Sequence, residues 1–391
     1  MEIVELNQVN KFILDKHHLL EDSKTDDIIK IARDLCGLHS TELKTSYLSL
    51  LARTHNFQKN KLAKELYTKK TLARIRGMRR TLFIVPLEMV PILYSATYNM
   101  VEKSFEKFME FYKVSLKQYQ EISQNILTIL KGNELSTAEI RKELDSKLNI
   151  PAIIQVMCNR KLLIRGKPIK DWKDRRNKYA LFKEYFPMTK LDSYSEEKAI
   201  ELLVEKYVKA YGPVTETDIS WWVGLTKNQI RKGLEKIESH LANVKISGIK
   251  KNYLIFHEDL NKMSNNKFNE KPLLTLLPLL DPYPMGYKDR ERYIDSQNYH
   301  YIFDRSGNIT STIFMDGRAI GVWDTEEKPE KVLKIYLFHS ISQDLLNEIH
   351  SKAEKLGKFY FDEIVPIQEC KSMTPLTERN AGGFMSPLKN C

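Results

Sequence analysis

Cations dominate the residues of this 391-residue chain that could do chemistry. From Lys69 to Arg80 stand Lys69, Lys70, Arg74, Arg76, Arg79 and Arg80, with no acid among them. From Asn159 to Lys178 nine Lys and Arg face two Asp, with Trp172 in their midst. Such groups bind phosphate, Arg through a planar two-pronged fork and Lys as a point charge. A solvated charged face is the ordinary alternative, and Trp172 could simply pack on its own hairpin. Further on, "DPYPMGYKDR" (281–290) offers the carboxylates Asp281 and Asp289, although Asp-Pro and Tyr-Pro are also plain turn chemistry.

The composition is globular, with 42% hydrophobic and 29% charged residues, and 391 residues exceed one core. The net charge of +11 suits a polyanionic partner. Cys36, Cys158, Cys370 and Cys391 show no metal-site spacing and are expected as reduced thiols in a cytoplasmic protein. No metal and no cofactor are expected. The opening Met1-Glu2-Ile3-Val4-Glu5 lacks the basic and apolar regions of a secretory signal. The longest apolar run, Leu273 to Leu280, contains Pro278 and is far short of a membrane span.

The elements that must hold the cations repeat. Thr25 is placed to cap a helix carrying Ile28, Ile31, Ala32 and Leu35, closed by Gly37. A helix over 43–53 and a strand over 81–85 follow. Val101, Phe105, Phe108, Met109 and Tyr112 form an apolar stripe on a long helix, read as core packing. "LSTAEIRKEL" (135–144) begins with a capping box, Ser136 with Glu139. A helix from Ala152 and two strands, 162–166 and 178–182, flank the basic span "KPIKDWKDRRN". Residues 195–258 repeat this order, with Thr226 capping a helix that carries Lys227, Asn228 and Arg231, and a hairpin around Gly248. Helix, helix, helix and basic hairpin is the winged-helix order, in which the third helix enters a DNA groove. Residues 261–271 read as a linker. After it, short strands and the turn Asp316-Gly317 give a β-rich end, with a covering helix near 344–356 and a mobile tail.

Four stretches carry a resemblance: "ARDLCGLHSTELKTSYLSLLAR" (32–53), "ARIRGMRRTLFIVP" (73–86), "LLPLLDPYPMGYKDR" (276–290) and "GNITSTIFMDGRAIGVW" (307–323). In this order they resemble the winged-helix DNA glycosylases of the AlkZ and YcaQ type, which excise alkylated bases and unhook crosslinks. The resemblance implies an α+β fold of tandem winged-helix units with a C-terminal barrel-like β domain. The expected divisions are 1–114, 115–190, 191–260 and 261–391. It further implies a DNA-repair hydrolase acting on double-stranded DNA, here expected as a monomer.

In that family two polar residues one apart, Gln-x-Gln or Gln-x-Asp, position the water that attacks the sugar. The matching positions here hold His39-Ser40-Thr41. His39 can accept a hydrogen bond from water, or a proton near neutral pH. Thr41 can hold a water but is a poor base, and it could instead cap the helix beginning near Glu42. Glu42 and Asp281 are the next candidates for the chemistry. The expected DNA contacts are Arg76, Arg79 and Arg80; Arg165, Lys167, Lys170, Trp172, Lys173, Arg175 and Arg176 of the second unit; Lys227, Asn228 and Arg231 of the third; and Tyr283, Lys288 and Arg290 on a loop lining the groove. Losing the glutamine pair leaves an alternative, a non-catalytic winged-helix regulator or DNA-structure binder.

Overall fold

A computed structural model describes residues 2–144, 146–265, 271–378 and 388. Three times a helix, a short extended segment, two further helices and a hairpin follow one another. The first set has helices Ile28–Asp34, Leu43–Arg53 and Lys59–Tyr67, with strands Leu38–His39, Leu72–Arg76 and Leu82–Pro86. The second has helices Leu116–Ile129, Thr137–Glu143 and Ile150–Asn159, with strands Leu135–Ser136, Leu163–Pro168 and Asn177–Leu181. The third has helices Glu196–Tyr211, Glu216–Val223 and Lys227–Glu235, with the hairpin Leu241–Ile246 and Asn252–Phe256. Each time the short segment before the second helix pairs antiparallel with the outgoing hairpin strand: His39 with Phe83, Ser136 with Lys178 and Val214 with Leu254.

Local chemistry sets the helix starts. Ser136 with Glu139, Thr215 with Asp218 and Thr226 with Gln229 each form the reciprocal capping box. The first helix is capped by Asp27, which accepts the Ile29 and Lys30 N–H groups, and not by Thr25. Glu2–Val4 runs parallel to the third hairpin, so the chain start belongs with the third unit. One apolar core runs through the first and third units, whereas the second unit keeps a core of its own, where Phe105 of the long helix Met89–Tyr112 packs on Tyr119.

The C-terminal part holds one five-stranded sheet, ordered Leu274–Leu277, Thr312–Met315, Arg318–Glu326, Val332–Leu337 and Ile367–Glu369. It is mixed and open rather than barrel-like. The last strand returns parallel to its neighbour after the helix Gln343–Phe361, leaving the first and last strands as edges. Two further expectations are corrected. Residues 261–265 are the last turn of a helix, His257–Asn265, and not a linker; 266–270 lie outside the described residues. Cys370 is disulfide-bonded, a cross-link that spacing alone does not reveal, while Cys36 and Cys158 are free and buried. Most of the expected tail lies outside the described residues; Leu388 is buried. Among the described residues no helix is long and apolar enough to cross a membrane.

The loop 281–292 is a largely buried strap from which Lys288 and Glu291 emerge. Asp281 receives Arg53 Nη1 at 2.8 Å and Nη2 at 2.7 Å, Ser49 Oγ at 2.7 Å and the Tyr283 N–H at 3.0 Å. The Lys288 and Asp289 N–H groups both donate to Asp218 in the third unit. Arg53 and Asp281 are fully buried. Removing one partner of such a pair strands a charge in a medium that cannot solvate it, at a cost of about 3–5 kcal/mol. Arg53→Met and Asp281→Leu should each lower stability by that amount in urea unfolding, and the double variant should recover much of it. Single variants unfolding like wild type would show that the pair does not hold the strap.

Candidate active site

His39, Ser40 and Thr41 lie where the short strand of the first unit meets its second helix. The strand fixes the backbone: the Ser40 N–H donates to Leu82 O at 2.7 Å, and Ser46 Oγ donates to His39 O at 2.9 Å. Arg74 grips the same turn from the adjacent hairpin, donating to Ser40 O from Nη2 at 2.8 Å and Nε at 3.1 Å. Its Nη1 reaches Asn177 Oδ1 of the second unit at 3.0 Å. Burial above all pulls the Arg74 pKa down to about 10.

The backbone is thus held at the Ser40 N–H and at the His39 and Ser40 carbonyls, while the side chains are not. His39 Nδ1, Ser40 Oγ and Thr41 Oγ1 are all sealed from bulk solvent with no hydrogen-bond partner among the described residues, and so is Thr45 Oγ1. Buried polar groups are ordinarily paired, so a run of four free acceptors and hydroxyls marks a place suited to water or ligand. Thr41 does not cap the helix: Glu42 occupies that position, and no side chain makes the capping bond. His39 is 5% exposed, with its ring edge-on to Phe83 at 5.1 Å between centroids. Burial, and then the nearby Arg79 cation, hold its pKa down to about 3. The ring is neutral across the physiological range.

Neither reserve carboxylate is free. Asp281 is consumed by the strap, and Glu42 takes Arg175 in a two-pronged pair, Nη2 to Oε1 at 2.8 Å and Nε to Oε2 at 3.1 Å. That pair also ties the second unit's hairpin to the first unit. Trp172 follows: it is 9% exposed, packed on Tyr47, Phe359 and Tyr360. The expected aromatic probe is thus a packing residue, because its flanking hairpin docks on the first unit and on the C-terminal helix.

The other expected contacts divide. Arg80, Lys167, Lys170, Arg175, Arg176, Lys227, Asn228, Arg231 and Lys288 are exposed, with Arg176 paired to Asp174 and Arg231 to Glu216. Arg76, Arg165 and Lys173 are half-buried, and Lys173 pairs with Glu327. Arg79 lies 3.8 Å over the Trp221 ring, its pKa pulled to about 10 by burial and then by Arg290. Tyr283 and Arg290 are corrected. The buried Tyr283 donates its hydroxyl to Gly317 O, and Arg290 stacks 3.4 Å over Phe303 while bonding Gly307 O. Arg53, Arg74 and Asn177 were not singled out for these roles, because their partners lie far off in sequence.

The sequence profile of DNA glycosylase AlkZ-like proteins matches residues 32–359, from the helix before His39 almost to the end of the C-terminal helix. The chain belongs to the AlkZ-like DNA glycosylase family. Among solved structures, Streptomyces sahachiroi DNA glycosylase AlkZ is similar in fold, with a TM-score of 0.76 at 18% identity over 95% of this chain and 100% of that one. No curated protein matches this sequence. Within this AlkZ-like chain the His39–Thr41 turn, Arg74 and the strap all lie inside the matched span.

The depressed His39 pKa has a thermodynamic consequence. The unfolded chain takes up a proton near pH 6.5, whereas folded His39 does so only near 3. Its contribution to stability is complete above pH 6.5 and is lost as pH falls towards 3. Urea unfolding at pH 7.5 and 4.5 should show a larger acid loss for wild type than for His39→Gln. Some loss should remain from buried His17, whose pKa burial also depresses. Equal losses would mean that folded His39 titrates normally.

Proposed function

We propose that the protein is a monofunctional glycosylase that acts as a monomer on double-stranded DNA and releases alkylated bases. The observation that carries this reading is the unpartnered run His39 Nδ1, Ser40 Oγ and Thr41 Oγ1 on a backbone held by Leu82, Ser46 and Arg74, at the family's water-positioning segment. The three helix–helix–helix–hairpin units are read as winged helices. The open cations Arg80, Lys167, Lys170, Lys227 and Lys288 would meet phosphates.

The electrostatics favour one substrate class. Glu42 and Asp281 are both paired, so among the described residues no free carboxylate stands at the turn to stabilise a developing oxocarbenium ion or pull hard on a proton. A cationic base such as N7-methylguanine needs little of either. Its C1′–N bond breaks with the electron pair going to the base, which leaves neutral. Water held by His39 Nδ1 and Thr41 Oγ1 then adds to C1′ and loses its proton to solvent or to His39. With a pKa near 3, His39 orients that water and is only a weak base.

Single-turnover release of N7-methylguanine from methylated duplex tests this. His39→Ala and Thr41→Val should each slow release, His39→Ala by about 10²-fold. Because folded His39 stays neutral down to about pH 3, the wild-type rate should not fall between pH 8 and 5. Release at only the spontaneous rate would favour the second reading, a non-catalytic DNA binder. The near-complete burial of His39 and the absence of the glutamine pair are the observations on its side. Release indifferent to both substitutions would place the chemistry elsewhere.

A further inference from the structure

Between the third helix of the first unit, Lys59–Tyr67, and the hairpin turn of the second unit lies an open groove of about 800 Å³. Its lining includes the aromatics Tyr47, Tyr67 and Trp172. Lys61 and Lys64 line it from the helix, Lys167 from the end of the strand Leu163–Pro168 and Lys170 from the turn; Asp171 is the one acid among the lining residues.

What separates these four lysines from their neighbours is their lack of partners. Lys59, beside the groove, pairs with Asp362 and lies over the Trp172 ring; Lys69 pairs with Glu65; Lys173 pairs with Glu327. Lys61, Lys64, Lys167 and Lys170 form no ion pair among the described residues. The two walls come from different units, held together by the Glu42–Arg175 and Arg74–Asn177 bridges and by Trp172 on Tyr47. Four lysines therefore border one open space with a single acid among its lining residues, a surplus of positive charge that favours an anionic occupant.

We infer that this groove seats the phosphate backbone of a nucleic-acid strand, as a second anchor formed jointly by Lys61 and Lys64 of the first unit and Lys167 and Lys170 of the second. The inference rests on the DNA-acting reading above and deepens it. It assigns a contact to the third helix of the first unit, which no sequence motif singles out. Ammonium groups on flexible stems fit a repeating phosphate chain without reading bases, so this anchor contributes affinity and salt dependence but no sequence preference.

The test is fluorescence anisotropy of the full chain with an unmodified 30-base-pair duplex from ~50 to ~200 mM salt. Each neutralised phosphate contributes about −0.9 to the slope of log K against log salt. Replacing all four lysines by alanine should make the slope shallower by roughly 2 to 3.6 and weaken binding at low salt by at least about 10-fold. Replacing them by arginine should restore the slope, which a merely structural role would not do. Circular dichroism should show the alanine variant folded. A folded alanine variant with the wild-type slope and affinity would overturn the groove assignment alone. If polyglutamate but not duplex protected these lysines from amine acylation, the groove would belong to an acidic polypeptide and the assignment would fail. Wild type that binds no duplex at any salt would instead overturn the DNA-acting reading itself.

Discussion

The buried pair between Arg53 and Asp281 is the constraint on which the site depends. Arg53 ends the helix Leu43–Arg53, and the His39–Glu42 turn lies at the other end of that helix. Both forks of the guanidinium are spent on one carboxylate, which also takes a serine hydroxyl and a backbone N–H. Such a pair survives desolvation only because its hydrogen bonds are nearly complete. The strap that carries Asp281 continues to Asp218, whose other oxygen closes the capping box of a third-unit helix. First unit, third unit and C-terminal part are thereby tied through one segment, and the helix Leu43–Arg53 cannot slide without breaking charged contacts at its far end.

Around the turn the chemistry is arranged by exclusion. Carboxylates that could act as bases are already engaged, by Arg53 and by Arg175. The charge left facing the turn is cationic, with Arg74 beneath its carbonyls and Arg79 beside the imidazole. Burial and this positive field keep His39 neutral, so it can accept a hydrogen bond but hold a proton only weakly. Cations beside the turn also favour a polyanionic partner. A substrate that arrives already charged at the base asks least of such a site.

Much of the frame was legible in the sequence because it is local. The Ser136 capping box, the Thr226 cap and the helix at 43–53 follow from neighbours three or four residues apart. What was not legible depends on distance. Asp281 meets Arg53 across 228 positions, and no spacing rule links them. Trp172 sits in a polar, basic segment and reads as exposed until Tyr47 and the C-terminal helix are brought against it. The turn chemistry of "DPYPMGYKDR" was visible, but its burial was not, because its polar groups find backbone and carboxylate partners in other units. The open C-terminal sheet rests likewise on a parallel return strand after a long helix, which strand patterns alone do not distinguish from closure.

The central claim is that the His39–Thr41 turn holds the attacking water. The direct measurement is a crystal structure of the protein with duplex DNA carrying one cationic pyrrolidine nucleotide, a mimic of the oxocarbenium sugar. The account predicts an ordered water within about 2.6–3.2 Å of both His39 Nδ1 and Thr41 Oγ1, facing the ring atom that stands for C1′. A mimic bound elsewhere on the protein, or seated at the turn with both atoms dry and unpaired, would contradict it.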